Sequence, residues 1–450
     1  MDEPAHAPPV EESAPPSERR VILLLAMVQF VNILDFMMPS PLGPRFAAEL
    51  DIETSSLGLV VASYTLAAGA AGLVGAFFLD RFDRRAALSV CLAGLAFGTA
   101  GAVFATNLET LVLARVIAGA FGGPATSVAM AIIADLVPVS RRGRALGTVM
   151  MAFSLASVFG VPMGLVLAGW GSWHTPFVVT GALCLVAALA ARTQLPPLRG
   201  HIRDVPGDQA HSEMIASFRA LLTDPAVRLS YGMALVSAFG AFMLIPNIAS
   251  FVQNNFGYPE ALLSILYGAG GIASLLVLRP LGKLVDRVGS FPISLGGAIG
   301  YAIVCWLCFI ALPPWIHALC AVEEEIAGVP FSWGWVVVTL LFVLFMLTSN
   351  ARNVAFGTLS SRVPPPALRA RYQSLSSMVQ HVGLAAGGLA GPVLLSSRPD
   401  GSLVGIDRVA WLSIATLLAV PWLIRVVEGL IDRRDGVRRA PVVARAQAEP

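Results

Sequence analysis

The chain has 450 residues, of which 56% are hydrophobic and 13% charged. A soluble domain carries about 25% charged residues, so a water-solvated fold is excluded and lipid must cover much of this surface. With a net charge of +2 and no interleaved aromatic and basic stretches, the chain does not read as a nucleic-acid binder.

Crossing a bilayer takes ~20 mainly apolar residues per helix. Residues 1–20 are acidic and proline-rich and read as a disordered tail. The first apolar run follows without a cleavage site, so it reads as an anchor that stays in the protein. Candidate spans then fall at 21–44, 56–79, 86–105, 108–135, 145–169, 173–192, 226–251, 259–280, 290–312, 334–356, 372–396 and 407–428. Glycine and proline recur inside them, as membrane helices allow. A polar linker occupies 193–225, a Trp-Pro-Glu-rich insertion 313–334, and a second tail 429–450. Cys305-x-x-Cys308 has redox spacing but sits in an apolar run, so both cysteines read as small buried hydrophobes. His317, Cys320 and Glu323 to Glu325 in the insertion read as a solvated acidic loop, and no metal is expected.

Lys and Arg in the connections set the orientation. Arg19, Arg20, Arg81, Arg84, Arg85, Arg141, Arg142, Arg144, the arginines from Arg192 to Arg228, Arg279, Lys283, Arg287, those from Arg352 to Arg371 and the C-terminal cluster fall on one face. Arg45, Arg398 and Arg408 fall on the other, and Arg115 alone falls inside a span. The number of spans is therefore even, and twelve fits, with both termini and the linker cytoplasmic.

The sequence also repeats itself. Phe36-Met37 recurs as Phe242-Met243, and Ala76-x-x-x-Asp80-Arg81 as Gly282-x-x-x-Asp286-Arg287, both at an offset of 206. Pro138…Arg142-x-Arg144 recurs as Pro365…Arg369-x-Arg371, and Gly160-x-x-x-Gly164 as Gly387-x-x-x-Gly391, both at 227. The difference falls across the 313–334 insertion. The expected fold is an all-α membrane protein: twelve transmembrane helices in two pseudo-symmetric six-helix halves, 21–192 and 226–428. Parallel repeats of this kind are a transporter architecture with a substrate site at the midplane.

These residues resemble the major facilitator superfamily along nearly the whole chain. Phe77-Phe-Leu-Asp80-Arg81-Phe-Asp83-Arg84-Arg85 is similar to its loop 2–3 signature, with Ala76 and Asp83 where glycines are usual, which makes that turn less free. Gly282-Lys-Leu-Val-Asp286-Arg287-Val-Gly289 is similar to the second-half copy, and Leu111-x-x-x-Arg115-x-x-x-Gly119 to the span 4 signature. Ser157-x-x-Gly160-x-Pro162-x-Gly164 resembles a degraded span 5 signature of proton-driven antiporters. The resemblance implies alternating access in a bacterial plasma membrane. It also implies a cytoplasmic gate formed by Asp80, Arg81, Asp135 and Arg144, with Asp286 and Arg287 as its second-half counterpart, while plain positive-inside anchoring accounts for Arg84 and Arg85.

Asp35 is the sole carboxylate deep in span 1, and a lone acid there costs ~2.5 kcal/mol or more at the bilayer centre. It is expected to face the cavity between the halves and to carry proton coupling. Arg115 needs a counter-charge, and Asp35 is the nearest acid because spans 1 and 4 face one cavity in the family's fold. Gly160, Pro162, Gly164, Gly387 and Gly391 are expected to permit close helix approach. Gln29, Asn32, Tyr64, Asn247, Asn350, Gln380 and His381 are polar cavity candidates. Gln253 and Asn353 belong with them, amid Phe36, Met37, Met38, Phe242 and Met243. Such a mainly apolar pocket suits hydrophobic or amphipathic solutes.

No Walker motif occurs, so the proton gradient is the expected energy source, with no cofactor. The expected protein is a monomeric secondary transporter in the lipid bilayer that exports small molecules in exchange for protons. The alternatives are an importing symporter or, further off, a membrane sensor or enzyme, for which no paired catalytic residues stand out.

Overall fold

The computed structural model describes residues 18–138, 145–149, 151–152, 155–199, 216, 218–322, 324–326, 329–364 and 368–434. The fold is all-α, with twelve membrane helices. Spans 1 to 4 are Glu18–Met37, Leu57–Phe78, Arg84–Gly101 and Leu108–Leu136. Span 5 is described over Ala156–Trp170, and span 6 is His174–Gln194. Span 7 comprises Pro225–Phe242 and Ile248–Phe256, and spans 8 to 12 are Leu263–Val288, Ser290–Trp306, Trp333–Ser360, Arg369–Leu394 and Ile406–Arg434.

Proline decides where these helices bend. The expected single span 21–44 is two helices, because the chain stops at Met37 and restarts at Pro39 as Pro39–Glu49. A proline in the first helical turn gives up no needed N–H, so it starts a helix more readily than it continues one. Pro246 breaks span 7 in the same way. In span 5 a widened π-turn, Ala156–Gly160, leads into Pro162, and in span 9 a second one, Leu307–Ala311, leads into Pro313. The wider turn gives the proline ring room against the preceding carbonyls.

The 313–334 insertion departs from the expected loop. It holds a helix, Pro313–Cys320, and two antiparallel strands, Glu324–Ile326 and Val329–Phe331. Cys320 is buried and Ser332 Oγ donates to the Leu319 carbonyl at 2.8 Å, while Glu324 and Glu325 stay exposed. All five cysteines are free, and the described residues contain no metal-binding cluster.

Large apolar side chains such as Phe97, Leu276 and Val393 point outward, where lipid would meet them. Inside each half, small residues let helices approach. A methyl group at Gly119 would stand 2.2 Å from the Tyr64 carbonyl oxygen, so spans 2 and 4 touch backbone to backbone. Between halves, span 2 lies along span 11 and span 5 along span 8. The described chain ends, loop 2–3 and the described ends of the linker lie at one end of the bundle, called here the termini side.

Loop 2–3 is fastened there by Asp83. Its carboxylate caps span 3 by accepting from the Arg85 N–H at 2.9 Å, and it also accepts from the Leu198 N–H at 3.1 Å. The Arg84 N–H returns a bond to the Leu198 carbonyl at 3.2 Å. Asp83 has φ −56°, ordinary backbone that needs no glycine, so the substitution that looked like lost freedom supplies a helix cap and a linker clasp instead. Burial alone would push its carboxyl up, but the Leu198 and Arg85 N–H groups and the Arg85 charge outweigh this and hold it below the usual carboxylate range.

Candidate functional site

Asp35 lies in the last turn of the first helix and is 1% exposed. Its Oδ1 accepts from Thr99 Oγ1 at 2.7 Å and from Arg115 Nη1 at 3.1 Å, and Oδ2 accepts from the same Nη1 at 3.1 Å. Arg115 Nη2 also donates to the Asp35 carbonyl at 3.0 Å, one of the carbonyls a helix end leaves without a partner. The Arg115 guanidinium sits 4.5 Å over the Tyr64 ring. Tyr64 OH donates to Asn32 Oδ1 at 2.9 Å, and Asn32 Nδ2 donates to the Gly122 carbonyl at 2.7 Å and to Thr126 Oγ1 at 2.9 Å.

The expected pairing of Asp35 with Arg115 is present, but its expected place is not. The pair is enclosed by spans 1 to 4 of the N-terminal half rather than turned to the space between halves. A buried acid and a buried base are tolerable only in contact and with their remaining groups bonded. Thr99, whose hydroxyl lies 2.8 Å from the Leu95 carbonyl as well, is with Thr126 a member of this network that sequence reading missed. A threonine in an apolar span gives no signal of its own.

The polar cavity candidates are mostly bonded within their own half. Asn32 and Tyr64 belong to the network above, and Gln29 is buried. Asn247 Nδ2 donates to the Met243 carbonyl at 3.1 Å across the break in span 7, and Asn350 Nδ2 to Ser274 Oγ at 2.8 Å. Gln380 Nε2 reaches Ser376 Oγ at 3.4 Å, and His381 Nδ1 lies 2.7 Å from the Ser377 carbonyl. Gln253 is half-buried, whereas Asn353 is exposed in the middle of a span. Met38 and Met243 are packed as core. Three of the expected packing glycines lie at close contacts. A methyl group on Gly160, Gly164 or Gly387 would strike Leu34, Met38 or the Phe239 carbonyl, and Gly391 abuts Asn247. Pro162 faces Gly268 of span 8.

Of the expected cytoplasmic gate, only some members fall among the described residues. Asp135 pairs with Arg84 inside the N-terminal half, which gives that arginine a partner beyond simple anchoring. Arg81, Asp286 and Arg287 are exposed, and Arg144 and the Asp80 side chain lie outside the described residues. Hydrogen bonds and an ion pair join described residues of the two halves at the opposite end. Arg45 pairs with Glu260 and also donates to the Ala168 carbonyl near the end of span 5. Ser40 Oγ donates to the Ile245 carbonyl at 3.1 Å, and the Ser55 N–H to Ser397 Oγ at 2.9 Å. A methyl group at Gly58 would stand 2.2 Å from the Gly388 carbonyl oxygen, so spans 2 and 11 touch there without side chains between them. Arg45 had a sequence signal, since it is one of the few cations on its face.

Arg352 corrects the charge map. The sequence counted it among the termini-side surface cations although it falls within the expected span 334–356, and it is 1% exposed in a helix that runs on to Ser360. Its guanidinium lies 4.5 Å over the Tyr301 ring of span 9. A second cation is thus buried within a span.

The family model described as Major Facilitator Superfamily matches residues 25–388. Solved structures of similar fold include a mutant form of the nucleoside transporter NupG, at 14% identity and TM-score 0.67, covering 90% of this chain and 99% of that one. A D-xylose-proton symporter aligns at 18% identity and TM-score 0.66, covering 90% and 96%. A bacterial homolog of the human lysosomal transporter Spinster, inward-facing and occupied, aligns at 17% identity and TM-score 0.64, covering 95% and 100%. At these identities the likeness is one of fold.

Proposed function

Because the chain belongs to the major facilitator superfamily, whose members are transporters and not enzymes, we propose that it exports small hydrophobic or amphipathic molecules in exchange for protons. The observation that carries this reading is the Asp35–Arg115 pair, sealed within the N-terminal half and braced by Thr99. While Asp35 is ionised, the pair ties span 1 to span 4. Protonation removes the carboxylate's charge, leaves Arg115 without a counter-charge in a dry interior, and so favours a different arrangement of the two helices. Cargo that binds better to one arrangement is thereby coupled to the proton.

The rule that Lys and Arg mark the cytoplasmic side supports cytoplasmic termini. On that orientation the Arg45–Glu260 latch and the Gly58–Gly388 contact close the outer face, and the gate of an inward-facing state is the outer one. The apolar lining around Phe36 and Phe242 supports hydrophobic cargo. The proton gradient supplies the energy, with no cofactor, in a bacterial plasma membrane.

The test is a susceptibility screen of a deletion strain, followed by transport of the identified compound in proteoliposomes under an imposed proton gradient. We expect Asp35→Asn to insert normally and lose gradient-driven transport. Undiminished gradient-driven transport by that variant would overturn proton coupling at Asp35. Cargo moving in the same direction as protons would replace export by symport.

A further inference from the structure

We propose that His381 is a second proton-binding site, set in the seam between the halves, and that its protonation opens that seam. His381 lies in the middle of span 11. A methyl group at Gly69 of span 2 would stand 2.9 Å from its Cβ and 3.8 Å from its Cγ, so the ring starts directly against the other half. Gly58 meets Gly388 farther along the same seam, toward the end away from the termini.

A neighbour fixes where the imidazole keeps its hydrogen. Nδ1 lies 2.7 Å from the Ser377 carbonyl oxygen, which can only accept, so Nδ1 is the N–H. The neutral ring therefore holds its lone pair on Nε2, and no described residue bonds that atom. Around Gly69, span 2 offers only the methyl groups of Ala67, Ala68, Ala70 and Ala71.

A proton on Nε2 makes a cation, and the helices packed against span 11 hold no partner for it. Span 2 carries Tyr64 as its one titratable group, and that hydroxyl bonds Asn32 within its own half. Span 7 carries Arg228 and Tyr231 near its termini-side end. Span 12 has Asp407 and Arg408 at one end, and Arg425, Glu428 and Asp432 to Arg434 toward the other. Span 11 itself adds Arg369, Arg371 and Tyr372 in its first turn. No carboxylate of these spans stands against the middle of span 11, so the imidazolium is a lone charge in a dry seam, unlike Arg115 beside Asp35. Parting the halves admits water to it, so the proton weakens a seam that the neutral ring lets close. The inference rests on reading the chain as a two-state transporter, and it holds whether or not Asp35 carries a proton.

The full chain is reconstituted in lipid without cargo and studied from about pH 8 to about pH 5, the range in which an imidazole changes charge. His381→Asn removes the proton acceptor but keeps a donor for the Ser377 carbonyl, as Asn247 donates to the carbonyl four residues before it. With isotope-labelled histidine, magnetic resonance assigns to His381 the signal that this variant lacks. We expect hydrogen on Nδ1 alone at high pH and on both ring nitrogens at low pH. Hydrogen on Nε2 at high pH, or no proton gained at low pH, overturns the site. The seam is read by maleimide labelling of Ser55→Cys, with the native cysteines replaced by alanine. Ser55 is 3% exposed, and its N–H bonds Ser397 across the seam. At low pH, labelling should be several-fold faster with His381 present than in the His381→Asn chain, and at high pH the two should agree. Thiol ionisation is common to both chains and cancels in the comparison. Equal rates at every pH overturn the proposal. If His381→Asn fails to fold, His381→Gln replaces it in both measurements. Neither measurement uses cargo or a variant of Asp35, so their failure leaves proton-coupled export to its own test.

Discussion

Phe36 and Phe242 stack with ring centroids 5.8 Å apart and planes 15° from parallel. They occupy the same position in the two repeats, 206 residues apart in the chain. A residue can touch its own repeat mate only near the axis that relates the halves, so this stack marks that axis. Phe36 also adjoins Asp35 in sequence and lies 5.6 Å from the Tyr64 ring, which places the axis beside the charged network.

An aromatic pair contributes ~0.5–1.5 kcal/mol beyond its buried area. Phe36→Ala and Phe242→Ala are each expected to loosen the closed arrangement and slow gradient-driven transport several-fold. Because both remove one stack, the double variant should be little worse than either single one. Additive losses in a transport assay would show that the rings act separately.

For the Asp35–Arg115 pair, deleting one partner leaves the other charged and buried, a loss of ~3–5 kcal/mol. Asp35→Asn and Arg115→Gln should each lower Tm sharply. The combination should cost clearly less than the sum, because no lone charge remains. A thermal-unfolding cycle measures this, and strict additivity would contradict the pairing.

The latch between Arg45 and Glu260 makes a third prediction. Glu260→Gln should favour opening of the face away from the termini, which labelling of a cysteine placed at Ser40 would read as faster modification. Reversing the pair with Arg45→Glu and Glu260→Arg should restore slow labelling. Failure to restore it would point to the second bond of Arg45, to the Ala168 carbonyl, as the important one.

Asp83 makes a prediction about pH. Its folded carboxyl titrates below the ordinary value, so the stabilisation it gives is present above the unfolded value of about 3.9. It is lost as pH falls through the lowered folded value. Hydrogen exchange at the Leu198 amide should be protected at neutral pH and become fast in that acid window. Asp83→Ala should abolish the protection at every pH and lose about 1 kcal/mol through the missing helix cap. Protection that survives in Asp83→Ala would assign the clasp to the Arg84–Leu198 backbone bond alone.

The membrane class, the twelve spans and the internal repeat were legible from the sequence, because each depends on hydropathy or charge summed over many residues. Asp35 and Arg115 were legible because a charge in an apolar run is conspicuous. Thr99 was not, since a hydroxyl in a helix costs little and signals nothing. Arg352 was misplaced because it lies near the end of its expected span and begins the run of arginines to Arg371, so it was counted with the surface anchors.

Sequence alone therefore determined which solvent the chain needs and that it is built twice over, since both follow from composition and periodicity along one dimension. Beyond the Asp35–Arg115 pair, which the family resemblance implied, tertiary structure decided which charges meet. Arg45 and Glu260 are 215 residues apart, and Asp35 turns into its own half because an ion pair in a dry interior is stable only where its partner and remaining donors converge.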